Sequence, residues 1–227
     1  MKIGLQFAMP MELHALPGAR DLPPCKTISG IPFYEIAPNM IACAGGVSKV
    51  NAAMTAEILC LYFGVGCILN AGVAGCCTDL PTGSLVLADD FIQHDVDTTA
   101  VGDPIGLVST VNRVEFSTWE PEICRNLLQS LGFDCRIGRI ATGDWFATKG
   151  SRAQWIVDTF HPLLVEMEGA AIAQVCLRNQ IRFVALKSVS DHLFSENQSD
   201  EYFNFGQALE QLGQIVLPFA KKLQEAL

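Results

Sequence analysis

Two carboxylates interrupt an apolar run in HPLLVEMEGAAIAQVC, where a buried strand from His161 leads into an alanine-rich helix. Glu166 and Glu168 are one residue apart, so they share a side if the strand continues through both, and part company if a helix begins at Glu168. Two more acids follow strand-like runs: Glu12 comes after KIGLQFA, and Asp191 ends RFVALKSVSD. In α/β sheets chemistry collects where strands end and their loops open. Carboxylates that converge in an apolar-walled pocket have raised pKa values and can exchange protons near neutrality, which is what general acid–base catalysis needs. Each acid also has a plain structural reading. Glu12 lies two residues after Pro10, a favoured first helical position, and would complement the helix dipole; Glu168 would do the same for a helix starting near Gly169. Asp191 fits a strand-end turn or a helix cap.

Other stretches offer chemistry of a different kind. HDVDTTAVG spaces His94, Asp95 and Asp97 as metal ligands might be spaced, but a solvated turn has the same composition. CAGGVSKVNAA puts glycines ahead of a helix, as a phosphate nest would, yet lacks the Walker pattern; it reads as a close-packed turn capped by Ser48. The nine cysteines contain no C-x-x-C pair, and MKIGLQFAMP lacks the long apolar core of a signal peptide. Reduced, mostly buried thiols in a cytoplasmic protein are expected, the adjacent Cys76 and Cys77 included.

The elements that must position these residues alternate strand with helix. KIGLQFA enters a helix at Pro10, NMIACAGG enters one at Ser48, and CILNAGVAG is a short strand closing in a glycine-rich turn. SLVLADDFI, CRIGRIAT, LLVEM and RFVALKSVSD are further strands, and an amphipathic helix runs from about Phe203 to Leu227. The uncharged run from Ile58 to Cys77 is long enough to span a membrane, but Gly64 and Gly66 divide it into a core helix, a turn and a buried strand. The expectation is an α/β fold: a single three-layer domain over residues 1–227, its central mixed, twisted sheet flanked by helices. With 50% hydrophobic residues the chain can bury a full core, and its 15 basic against 24 acidic residues leave no footprint for nucleic acid. A small-molecule partner is expected, with no membrane.

Taken together, AMPMEL, NAGVAG, HDVDTTAVG, TGDWFA, VEMEGAAIA and SVSD occur in an order that resembles the methylthioadenosine/S-adenosylhomocysteine nucleosidases, within the wider nucleoside phosphorylase superfamily. The resemblance covers Ala8 to Asp191 and implies hydrolysis of the N-glycosidic bond of a 5′-modified adenosine, without cofactor or metal. It assigns Asp191 to N7 of the purine, Glu12 to the attacking water and Glu168 to the ribose hydroxyls. Phe146 and the Ala147 backbone would hold the base, and Met9 and Met167 the sugar, although Met167 is equally a core filler. Ser190 joins the substrate contacts. Glu166 then reads as a structural partner for a backbone or basic group. HDVDTTAVG becomes a loop, His94 to Gly106, at a twofold homodimer interface. Two positions depart from the family pattern. Val73 replaces a hydroxyl in the glycine-rich turn, and Lys187, counted with the catalytic groups, replaces an arginine, so water and Glu12 would be held less rigidly. Phosphorolysis, the nearest alternative, would need arginines and a hydroxyl around phosphate where this chain has Glu12 and Val73. A non-catalytic nucleoside-binding paralogue is the other alternative. Ile105, Leu107 and Phe203 suggest an apolar 5′ group.

Overall fold

The computed structural model describes residues 1–195 and 205–227. Its ten strands belong to one mixed sheet. The strands are β1 (Ile3–Phe7), β2 (Lys26–Ile28), β3 (Ile31–Ala37), β4 (Met40–Ala44), β5 (Cys67–Cys76), β6 (Leu85–Gln93), β7 (Glu115–Ser117), β8 (Arg136–Thr142), β9 (Leu164–Glu166) and β10 (Arg182–His192). The helices are α1 (Pro10–His14), α2 (Lys49–Leu61), α3 (Pro121–Ser130), α4 (Ser151–Phe160), α5 (Gly169–Asn179) and α6 (Phe205–Ala226).

The sheet is not a simple open ribbon. β10 pairs in parallel with β5 and antiparallel with β6, and the path β6–β8–β9–β5 returns to it, closing a ring of five strands. From β5 the sheet continues outward through β1, β4, β3 and β2. Helices cover both faces. α2 and α5 pack over a cluster that includes Phe33, Leu59, Ile68, Ile172 and Phe183, while α1, α3 and α6 close the other face around Leu5, Leu13, Leu69, Leu128 and Phe219. α6 offers Leu209, Leu212, Val216, Phe219 and Leu223 along one stripe at helical spacing. It approaches α1 so closely at Gly213 that an added Cβ would lie 2.2 Å from the Ala15 carbonyl oxygen.

Two expectations are corrected here. The strand expected at CILN does not stop at a glycine-rich turn; β5 runs ten residues, through Gly72 and Gly75 to Cys76. Ser48 does begin α2, but its hydroxyl makes no cap, and its backbone sits at φ 85°, ψ 160°, a region usually left to glycine. α6 begins, within the described residues, at Phe205; Phe203 lies outside them. The run from Ile58 splits as expected into the end of α2 and the start of β5. None of the described helices is long and apolar enough to cross a membrane. All nine cysteines are free, and seven of them, Cys76 and Cys77 included, are buried.

Candidate active site

A cleft opens beyond the C-terminal ends of β1, β5, β9 and β10. Glu12, Glu168 and Asp191 all line it, with Met9, Val73, Phe146, Ala147, Met167 and Ser190. Lys187, counted with the catalytic groups, is set back from the wall.

Glu12 reaches the cleft because Pro10 starts a one-turn helix directly after β1. Its Oε2 accepts hydrogen bonds from the Ala8 and Met9 amides at 2.9 Å, and its Oε1 accepts one from the Val73 amide at 3.0 Å. The helix-start reading therefore holds as well: Glu12 satisfies an amide at the head of α1 while facing the cleft. A carboxylate offers about four acceptor directions, so one is left for a further donor. Val73 takes part through its backbone, which a change of side chain leaves in place. Burial raises the Glu12 pKa against the pull of Lys187 and the three amides.

β5 makes room for this carboxylate. A Cβ at Gly72 would lie 2.5 Å from Glu12 Oε1, and one at Gly75 would lie 3.3 Å from Asp191 Oδ2. Glycines within a strand mark such close approaches. Opposite them, β10 shifts register between Val189 and Asp191, a bulge that re-aims the strand end beside the cleft. The Ser190 hydroxyl lies 2.6 Å from Asp191 Oδ1 and 3.2 Å from the Ala74 carbonyl oxygen; with one proton to give, it donates to the nearer.

β9 ends at Glu166, and Glu168 occupies the residue before α5. The two acids consequently have different partners. Glu166 accepts from the Thr142 hydroxyl, from the Gly169 amide at 2.8 and 3.0 Å, from the Glu168 amide at 3.2 Å and from the Lys187 ammonium at 3.1 Å. It borders the cleft but is saturated by protein groups, which makes it the structural partner expected. Glu168 accepts the Ser48 amide at 2.9 Å through Oε1. Burial, then the neighbouring Glu166, push its pKa up to about 7 against the opposing pull of Lys187. Burial works to lower Lys187, but Glu166, Glu168 and Glu12 outweigh it and hold the ammonium protonated. Lys187 is thus a buried counter-ion beneath three acids.

Phe146 projects into the cleft, 59% exposed, with Ala147 beside it. Val47, Trp145 and Phe205 complete the apolar wall. Sequence reasoning missed these three and the Ser48 amide. Trp145 had a signal in TGDWFA; an apolar residue ahead of a helix and a backbone donor have none. Ile105 and Leu107 do not line this cleft, and Phe203 lies outside the described residues. Of the possible ligands in HDVDTTAVG, Asp95 pairs with Lys49 at 2.7 Å, and Asp97 accepts from the amide and hydroxyl of Thr99. His192 Nε2 lies 2.7 Å from the Leu80 carbonyl oxygen.

The chain is similar to known proteins over most of its length. The family model described as the phosphorylase superfamily matches residues 2–221. A 5′-methylthioadenosine/S-adenosylhomocysteine nucleosidase from Shewanella pealeana is 32% identical over 88% of this chain and 90% of its own. One from Oceanobacillus iheyensis is 31% identical over 98% of this chain and 100% of its own. Among solved structures, the Helicobacter pylori 5′-methylthioadenosine/S-adenosylhomocysteine nucleosidase with butyl-thio-DADMe-Immucillin-A superimposes with a TM-score of 0.90 at 25% identity, covering 98% of both chains. A futalosine hydrolase of Helicobacter pylori gives 0.90 at 26%, again over 98% of both. With the family model matched over nearly the whole chain and relatives above 30% identical over most of both lengths, the chain belongs to the phosphorylase superfamily and, within it, to the methylthioadenosine/S-adenosylhomocysteine nucleosidases.

Proposed function

We propose that the protein hydrolyses the N-glycosidic bond of a 5′-modified adenosine, such as methylthioadenosine, S-adenosylhomocysteine or 5′-deoxyadenosine, to adenine and the free 5′-modified ribose. The observation that carries this reading is that Glu12, Glu168 and Asp191, distant in the chain, line one cleft. Departure of the base leaves an oxocarbenium-like sugar, so the reaction needs a proton for the leaving group, an activated water and a grip on the ribose. Asp191 gives a proton to N7 as the C1′–N9 bond breaks. Glu12, high in pKa and with one acceptor direction unused, takes a proton from the water whose oxygen bonds C1′. Glu168 accepts from the ribose hydroxyls. Phe146 stacks on the purine and the Ala147 backbone meets its edge, while Met9 and Met167 pack on the sugar.

Lys187 acts from below, by keeping Glu166 and Glu168 compatible as buried neighbours. Phosphate is a poor nucleophile for this site, because Glu12, Glu166 and Glu168 present negative charge where an anion would have to settle. The assembly is a homodimer with the His94–Gly106 loop near its interface. Support comes from α2, where Val50 and Leu61, on one helix face with Met54, are 74% and 72% exposed, and from Val101 in that loop, 80% exposed. A cytoplasmic location agrees with nine unpaired cysteines.

The direct test incubates the protein with methylthioadenosine, with and without phosphate. Adenine is expected at the same rate in both. A requirement for phosphate would make the protein a phosphorylase, and binding without adenine release would make it a nucleoside-binding paralogue.

A further inference from the structure

Lys49 breaks a local rule. A cation in the first turn of a helix opposes the helix dipole, and such violations tend to mark positions kept for another purpose. Its ammonium bonds Asp95 Oδ1 at 2.7 Å and Gln93 Oε1 at 3.1 Å, with both members of the ion pair more than four-fifths buried. Its backbone amide bonds Asp144 Oδ1 at 2.8 Å, and the Asp144 amide returns to Asp95 Oδ2 at 2.9 Å. Lys49, Asp95 and Asp144 thus form a closed circuit of three contacts. The residue on one side of the circuit is Ser48, whose amide bonds Glu168. Two residues along the chain from Asp144 is Phe146.

Successive amides at the start of α2 therefore hold two different walls of the cleft: one the carboxylate assigned to the ribose, the other the loop assigned to the purine. We infer that Lys49, tied to Asp95 and Asp144, is a positioning residue that sets the purine-holding loop at a fixed distance from the ribose-holding carboxylate. The inference rests on the functional reading above for what the two walls bind. Without the ammonium, Asp95 loses its counter-ion and the fixed position from which its Oδ2 holds the Asp144 amide; the Lys49 amide still bonds Asp144 Oδ1, but the loop is then held from one side only, so Phe146 samples positions that do not cover the base. Glu12 and Asp191 lie outside the circuit, so the chemical step on a correctly bound substrate is untouched.

The test measures adenine affinity by titration calorimetry, a readout that does not depend on turnover, in Lys49→Met, Phe146→Ala and the double variant. Each single change is expected to weaken adenine about tenfold, and the double variant about as much as one alone, because coupled residues are not additive. With methylthioadenosine, Lys49→Met should raise KM about tenfold with kcat within about threefold of the parent, the mark of lost binding rather than lost chemistry. Lys49→Arg, which keeps the charge, should restore adenine affinity. Unchanged adenine affinity in Lys49→Met, or effects that multiply in the double variant, would overturn the inference. Should Lys49→Met not fold, Asp144→Ala, which removes the acceptor of the Lys49 amide at an exposed residue, takes its place in the cycle under the same two criteria. A parent protein that binds adenine but does not cleave methylthioadenosine would refute the functional reading while leaving the cycle able to decide this one.

Discussion

Asp191 is the acid whose removal should separate binding from chemistry. Asp191→Asn keeps the side-chain size and an oxygen for the Ser190 hydroxyl but has no proton of comparable acidity to give N7. Its kcat should fall by about 1,000-fold, while a nonhydrolysable nucleoside analogue binds within a few-fold of the parent; unchanged turnover would take Asp191 out of the mechanism. Glu168 makes a prediction about pH. Its folded pKa, about 7, stands above the ordinary carboxylate value of 4.5, so between those values the folded protein binds more protons than the unfolded chain. Unfolding free energy must then fall as pH rises through that window, because the ionised form is the one that burial and Glu166 oppose. Urea titrations from pH 5 to pH 8 should show this slope in the ligand-free protein and a weaker one in Glu168→Gln. Ribose binding runs the other way: an ionised Glu168 is the better acceptor, so kcat/KM should rise through about pH 7. A parent and variant with the same pH slope would mean that Glu168 does not titrate there.

At the scale of elements, β5 carries the tightest constraint. Gly72→Ala places a methyl 2.5 Å from Glu12 Oε1, and the carboxylate must leave the Val73 amide to relieve it. Activity should drop about 100-fold with the far-UV spectrum retained, since a displacement near 1 Å in a catalytic group costs that much; an active variant would show that Glu12 tolerates another position. The same strand shows where sequence reading stops. β1, β6, β9 and β10 were legible as apolar runs bounded by polar or helical signals, because they are largely buried on both faces, and β8 was legible from its buried last three residues. The glycines of β5 looked like a turn because the reason for them, carboxylates from α1 and β10 lying against the backbone, is tertiary. β2, β3 and β7 were not picked out, being short or half-exposed, with little apolar run to read. The acids of the cleft were legible as types at strand ends, but their division of labour was not. That Glu166 is saturated and Glu12 is not depends on which amides and which lysine they meet.

For the whole molecule, the apolar outer face of α2 is the feature that single-chain packing leaves unexplained. Sedimentation should give a dimer, and changing Val50 and Leu61 together to Glu should give monomers that still fold, because both side chains are turned away from the core. A monomeric parent protein would end that reading. The five-stranded ring has a different consequence. Glu12 leans on one of its strands, Glu166 and Asp191 lie at the ends of two others, and Thr142 ends a fourth, so their spacing is set by how the strands are stepped around a closed circuit. An open sheet can slide one strand by two residues and remain a sheet; a circuit cannot, because the error must reappear at the seam. The arrangement of acids is in that sense counted rather than adjusted, and sequence drift at the periphery can proceed without loosening it.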